Sequence, residues 1–117
     1  MTKKAFRLQG HEMRPLVGAM GGCLATDHIA VDGLPVRFMY REASDHESDS
    51  GWRFFSGFED EAYANNPAHM EVYEVSTIAN YDPGILPFLD APPGSAFEKA
   101  ASSERFEMLV DWKPDAN

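Results

Sequence analysis

Apolar and polar positions alternate most clearly over residues 34–41, where Val36, Phe38 and Tyr40 interleave with Arg37, Met39 and Arg41. A period of two is that of a strand with one buried face, and Pro35 suits its entry. Upstream, the apolar runs 23–26 and 29–31 flank Asp27-His28, and Asp32-Gly33 is a tight-turn dipeptide. This pattern predicts a hairpin closing into residues 34–41. Residues 42–50 are polar and acidic apart from Ala43, which predicts an exposed loop ahead of a short aromatic strand, 51–56. Ser56 and Glu59 stand at capping-box spacing, and Asp60 and Glu61 add negative charge to a first helical turn. A helix is expected to run from there to about Asn65, with Asn66-Pro67 ending it.

Residues 70–75 alternate again, with Met70, Val72 and Glu74 opposite Glu71, Tyr73 and Val75, a strand whose facing the pattern leaves open. Ser76 and Thr77 are placed to cap a helical turn, and Pro83 opens another over residues 85–89, because its missing N–H is unpaired at a helix start anyway. Pro92-Pro93-Gly94 is a break, followed by the stretch 95–99 with apolar Ala96 and Phe97. The last strand candidate is 105–111, with Phe106, Met108 and Val110 on one face and Trp112 closing the core. Met13, Met20, Met39, Met70 and Met108 are too scattered to line a groove and read as core fillers. The expectation is one compact α+β domain, mainly antiparallel sheet with two or three short helices. It spans 16–112, with a mobile or edge lead-in at 1–15 and a tail at 113–117.

Size agrees with that. A chain of 117 residues with 44% hydrophobic and 12% aromatic content fills one core without staples. One cysteine, Cys23, excludes an internal disulfide framework and makes a reducing cytoplasm the expected location. The longest uncharged stretch near the start, 15–26, is too short and glycine-rich to span a membrane.

Charge changes the picture more. The net charge is −9, distributed as +3 over residues 1–41, −8 over 42–75 and −4 over 76–117. That balance removes the electrostatic attraction on which nucleic-acid binding depends. The acidic middle reads either as a solvated loop and helix start or as a docking face. In the second reading negative potential steers a basic protein partner and aromatic residues anchor it. The residues that would carry it are Asp49, Trp52, Arg53, Phe58, Glu59, Asp60, Glu61 and Tyr63, since Trp, Tyr and Arg dominate binding energy at interfaces. The structural reading of the same stretch, which is favoured, has Gly51 permitting a close chain reversal after the polar loop, Trp52 supplying buried area with Phe54 or Phe55, and Arg53 pairing with a carboxylate such as Asp82 or Asp90.

Catalytic chemistry is harder to find. Cys23 has four histidines to pair with, His11, His28, His46 and His69, but a cysteine inside an apolar run reads as a small buried hydrophobe. Asp45, His46, Glu47 and Asp49 lack the spacing of a zinc, calcium or iron site, so no metal and no cofactor is expected. Nucleophile elbows, phosphate loops and dinucleotide fingerprints are absent. Two alternatives to a binding domain stand: a small-ligand or enzyme pocket built from Arg53, Tyr81, Asp82 and Asp90, with Arg53 pairing Asp82 or Asp90, and a self-associating structural module.

A longer constellation does carry a family likeness. Residues 49–57, Asp-Ser-Gly-Trp-Arg-Phe-Phe-Ser-Gly, are followed by Glu59-Asp60-Glu61, then Asn80-Tyr81-Asp82-Pro83, Leu89-Asp90 and Pro93-Gly94-Ser95-Ala96-Phe97. Upstream stand Asp27, Val31-Asp32-Gly33 and Phe38-Met39-Tyr40-Arg41-Glu42. Over about residues 20–98 the chain resembles a bacterial family catalogued as domain of unknown function 2185, grouped with immunity-protein domains of the class-33 type. The resemblance implies a cytoplasmic α+β domain, in some genomes placed among proteins that neutralise toxins and usually with no demonstrated activity. Together with the acidic face it makes a non-enzymatic, immunity-like binding domain the leading expectation. The positions that carry over are Asp49, Gly51, Trp52, Arg53, Glu59, Asp60, Tyr81 and Asp82, and the family assigns none of them a role.

Overall fold

A computed structural model of the chain describes residues 20–44, 48–99 and 105–109. The lead-in 1–15, the loop residues 45–47, Val110, Trp112 and the tail 113–117 lie outside them. Six strands form one mixed sheet in the order β4-β1-β3-β2-β5-β6, and short helices complete an α+β domain. The strands are β1 (Gly22–Thr26), β2 (Phe38–Arg41), β3 (Asp49–Phe55), β4 (Met70–Glu74), β5 (Ala96–Lys99) and β6 (Phe106–Met108). The α-helices are α1 (Asp27–Ala30), α2 (Glu61–Ala64) and α3 (Val75–Tyr81), with 3₁₀ turns at Pro67–His69 and Pro83–Phe88.

The expected hairpin between residues 23–31 and 34–41 does not form, because β3 lies between β1 and β2. Asp27–Ala30 coil into α1 instead, and Gly33 at φ +76° closes it, with the amides of Val31 and Asp32 donating to the Asp27 carbonyl. Asp-Gly here ends a helix, because its left-handed glycine serves a helix terminus as well as a hairpin turn. The chain then crosses to the far side of β3. As a result β1 pairs parallel with β3 and antiparallel with β4, while every other pairing is antiparallel.

One face of the sheet is buried. Cys23 and Ala25 of β1, Trp52 and Phe54 of β3, Met39 of β2 and Phe97 of β5 pack against Ile29, Val75, Ile78, Ala79, Ile85 and Leu89 from the helices and the second 3₁₀ turn. Trp52 Nε1 donates to the Leu89 carbonyl at 3.2 Å, so even its polar atom is spent inside. The opposite face carries no helix among the described residues. Across it the strand register lines up Val72, Leu24, Arg53, Tyr40 and Ala96. This settles the facing of β4: Tyr73 packs on the core and Val72 is 73% exposed on the other side. Of the methionines, Met39 fills the core and Met20 packs on it. Met108 is 60% exposed on the edge strand β6, where few neighbours reach it, so its expected core role is corrected. Residues 95–99, legible only as a stretch with two apolar side chains, form the strand β5 between β2 and β6.

Candidate functional site

The residues singled out for docking separate into two groups, one around Asp49 at the start of β3 and one past its end. At its start, the Arg53 guanidinium is held by Glu42 (Nε to Oε2, 2.9 Å) and by both oxygens of Asp49 (3.0 and 2.9 Å). Asp49 also accepts from the Gly51 amide and the Ser44 hydroxyl. The hydrogen bonds from Arg53 hold the Asp49 carboxyl well below the usual carboxylate range. The β2–β3 pairing explains Glu42: Arg41 lies opposite Trp52 and Tyr40 opposite Arg53, so the residue after β2 reaches back to the guanidinium. Arg53 therefore pairs with neither Asp82 nor Asp90, as the sequence reading had it.

Past the other end of β3, the chain turns at Gly57, φ +90°, and throws Phe58 outward, 66% exposed. Glu59 folds back inside. Its Oε2 accepts from Thr26 Oγ1 at 2.5 Å, from the Ser56 hydroxyl at 2.8 Å and from the Ser56 amide at 3.0 Å, while Oε1 takes the Gly57 amide at 3.0 Å. Burial pushes the Glu59 carboxyl up, but the hydrogen bonds from Thr26 and Ser56 outweigh it and leave the group below its ordinary value. The helix start shifts accordingly. Ser56 and Glu59 engage each other as their spacing promised, yet they lock a loop, and Asp60 is the residue that caps α2 by accepting from the Tyr63 amide at 2.8 Å.

Tyr63 lies between two imidazoles, its ring 4.2 Å from His28 and 3.9 Å from His69. His28 in turn contacts Asp32 at 3.0 Å. Burial, then the negative charges of Asp27, Asp32 and Glu59, raise the Tyr63 hydroxyl above its ordinary value. This end of the sheet thus gathers Asp27, Asp32, Glu59, Asp60 and Glu61, of which Asp32, Asp60 and Glu61 are exposed. Neither 26–34 nor 56–69 contains a lysine or arginine. Beside Phe58 runs a groove of about 510 Å³ floored by Pro35 and Phe38, with Arg37, Glu98 and Lys99 on its sides.

Trp52 is fully buried, as its structural reading had it, and the rival reading of it as an exposed anchor is corrected: its position on the core face of β3 removes it from any partner. The alternative pocket residues are not brought together either. Tyr81 donates to the Ala30 carbonyl at 2.9 Å. Asp82 accepts from the Val36 and Gly84 amides and meets Lys99 Nζ at 3.7 Å. Asp90 is exposed, and all three belong to the helical side while Arg53 lies on the other. Cys23 is buried and its thiol is pushed up to about 12 by burial, which leaves no thiolate for chemistry at neutral pH. Sequence reasoning missed the histidines flanking Tyr63, because nothing in their spacing tells that α1 and the 3₁₀ turn Pro67–His69 converge on α2.

The residues of the family likeness are almost all engaged internally: Asp49 with Arg53, Trp52 with Leu89, Glu59 with Thr26 and Ser56, Asp60 at a helix start, Tyr81 and Asp82 with backbone groups. The model of the Immunity protein Imm33 domain matches residues 23–109, from the first buried residue of β1 through the end of β6. The chain belongs to this immunity-protein family. No curated protein and no solved structure matches it. The matched span thus covers all six strands of the sheet, save Gly22 at the start of β1.

Proposed function

We propose that this immunity-family chain acts without catalysis, by binding a basic protein partner such as a toxin domain through the acidic end of the sheet. The observation that carries the reading is Phe58. A large apolar ring stands exposed on a loop pinned from beneath by Glu59, with Asp60 and Glu61 beside it. Such an anchor loses little freedom on binding, which is how preorganised contacts gain affinity. The surrounding carboxylates speed encounter with a positively charged surface and reject negatively charged ones. Of the residues expected to dock, Phe58, Asp60, Glu61 and Tyr63 remain in this role. Glu59 positions the loop, and Asp49 and Arg53 lie outside the face. The site holds no thiolate, and its histidines stack on Tyr63 rather than face a nucleophile.

The test is protection of growth against a co-expressed toxin domain, joined to measured association with that domain. Phe58→Ala is expected to shorten complex lifetime and abolish protection. Asp60→Asn with Glu61→Gln is expected to slow association and flatten its dependence on salt. Protection and binding rates unchanged in both variants would remove the acidic end from the mechanism.

A further inference from the structure

We propose that a cleft on the helix-free face of the sheet binds a lysine side chain presented by a partner polypeptide. The cleft, about 370 Å³, lies between Gly22, Leu24 and Val72 on one side and Ser48, Asp49 and Arg53 on the other. Its apolar wall suits an aliphatic stem: Leu24 and Val72 are cross-strand partners on that face, and Val72 is 73% exposed. Its polar end suits a cation. Of the charged groups Asp49 and Arg53 line it, and behind them stand Glu42, paired with Arg53, and Glu74, opposite Gly22 in the β1–β4 register, so the surroundings hold three carboxylates to one guanidinium. Neither β1 nor β4 contributes a lysine or arginine.

The hydrogen-bond geometry selects lysine over arginine. A guanidinium prefers a two-oxygen fork, and the fork of Asp49 is already taken by Arg53. An ammonium needs only single acceptors. The Ser48 carbonyl, which receives the Gly22 amide, keeps a second lone pair, and Asp49 Oδ2 is reached by displacing the exposed Ser44 hydroxyl at 3.1 Å. Gly22 keeps the space open. A Cβ there would stand 3.2 Å from Val72 Cγ1 and 3.4 Å from the Ser48 oxygen, between the two walls. Its φ is not in the left-handed region, so an alanine narrows the cleft without backbone strain.

The probe is capped lysine, Nα-acetyl-lysine methylamide, titrated into ¹⁵N-labelled protein, with the capped norleucine and arginine analogues alongside. Saturable shifts concentrated at Gly22, Leu24, Asp49 and Val72 are expected with lysine. Norleucine, which has the stem without the charge, is expected to give none. Gly22→Ala and Val72→Ser should each weaken lysine binding about tenfold while the rest of the amide spectrum stays in place. Equal responses to the three probes, shifts elsewhere, or unchanged affinity in the folded Val72→Ser protein would overturn the proposal. The cleft and Phe58 lie at opposite ends of β3, so a null result here leaves the acidic docking face standing, and loss of protection in Phe58→Ala says nothing against the cleft.

Discussion

Arg53 and Asp49 show how a single pair sets the acid limit of the fold. Asp49 is held below the ordinary aspartate value by the guanidinium, so its contribution to stability is whole above the unfolded value of about 3.9 and is lost as pH falls below it. Denaturant midpoints at pH 7 and pH 3 should show Asp49→Asn less stable than the native chain at pH 7, with a smaller further loss on acidification. Glycines give a sharper contrast. Gly51 has φ +87° and a Cβ there would meet the Glu42 oxygen at 2.1 Å, backbone against backbone. Gly51→Ala is therefore expected to cost about 3 kcal/mol or more, through strain and a broken β2–β3 register. Gly94, at φ +96° with nothing within 4 Å, should lose only about 1–2 kcal/mol as alanine, the left-handed penalty alone. Urea unfolding of both variants measures the difference. From the sequence, Gly51 was legible as a residue permitting a chain reversal after the polar loop, but the group packed against it, Glu42, was not. That contact exists only once β2 and β3 are paired.

Among the elements, the loop from β3 to α2 is the most informative. Capping chemistry was visible in Ser56, Glu59 and Asp60, and an acidic start followed by Asn66-Pro67 located the helix. The cap itself moved because Glu59 is engaged by Thr26, at the end of a strand distant in sequence, and by Ser56, which leaves Asp60 to cap α2. Glu59→Gln should accordingly leave the core intact and speed hydrogen exchange at the Ser56 and Gly57 amides, which donate to that carboxylate. Asp60→Ala, removing a cap from a four-residue helix, is expected to cost about 0.5–1 kcal/mol by thermal or chemical unfolding. Strands were read well where one face alternates, as in β2 and β4, and where aromatic residues follow a polar loop, as in β3. The failures, the hairpin at Asp32-Gly33 and the unrecognised β5, share a cause. Local pattern reports burial on one side, while pairing partners are decided by crossovers that no short window contains.

At the scale of the molecule, the sheet divides the chain's work between two faces. The side under the helices holds Trp52 and Phe54, and the other side and its ends hold Phe58, Val72, Arg53 and the carboxylates of Asp49, Glu59 and Asp60. The α+β class was readable from composition and alternation. The separation of the acidic middle into two sites was not, because β3 carries its own length between them. The central position of β1 has a consequence for how the protein comes into being. It is the earliest strand described, yet its neighbours are β3 and β4, which follow only at residues 49–55 and 70–74. A nascent chain must therefore carry β1 unpaired on both edges until the sequence through Phe55 has left the ribosome, and on one edge until Glu74 has followed. Refolding should fall in the millisecond-to-second range typical of such distant pairings. A cell in urgent need of an active copy waits on that closure rather than on the local turns and helices that form first.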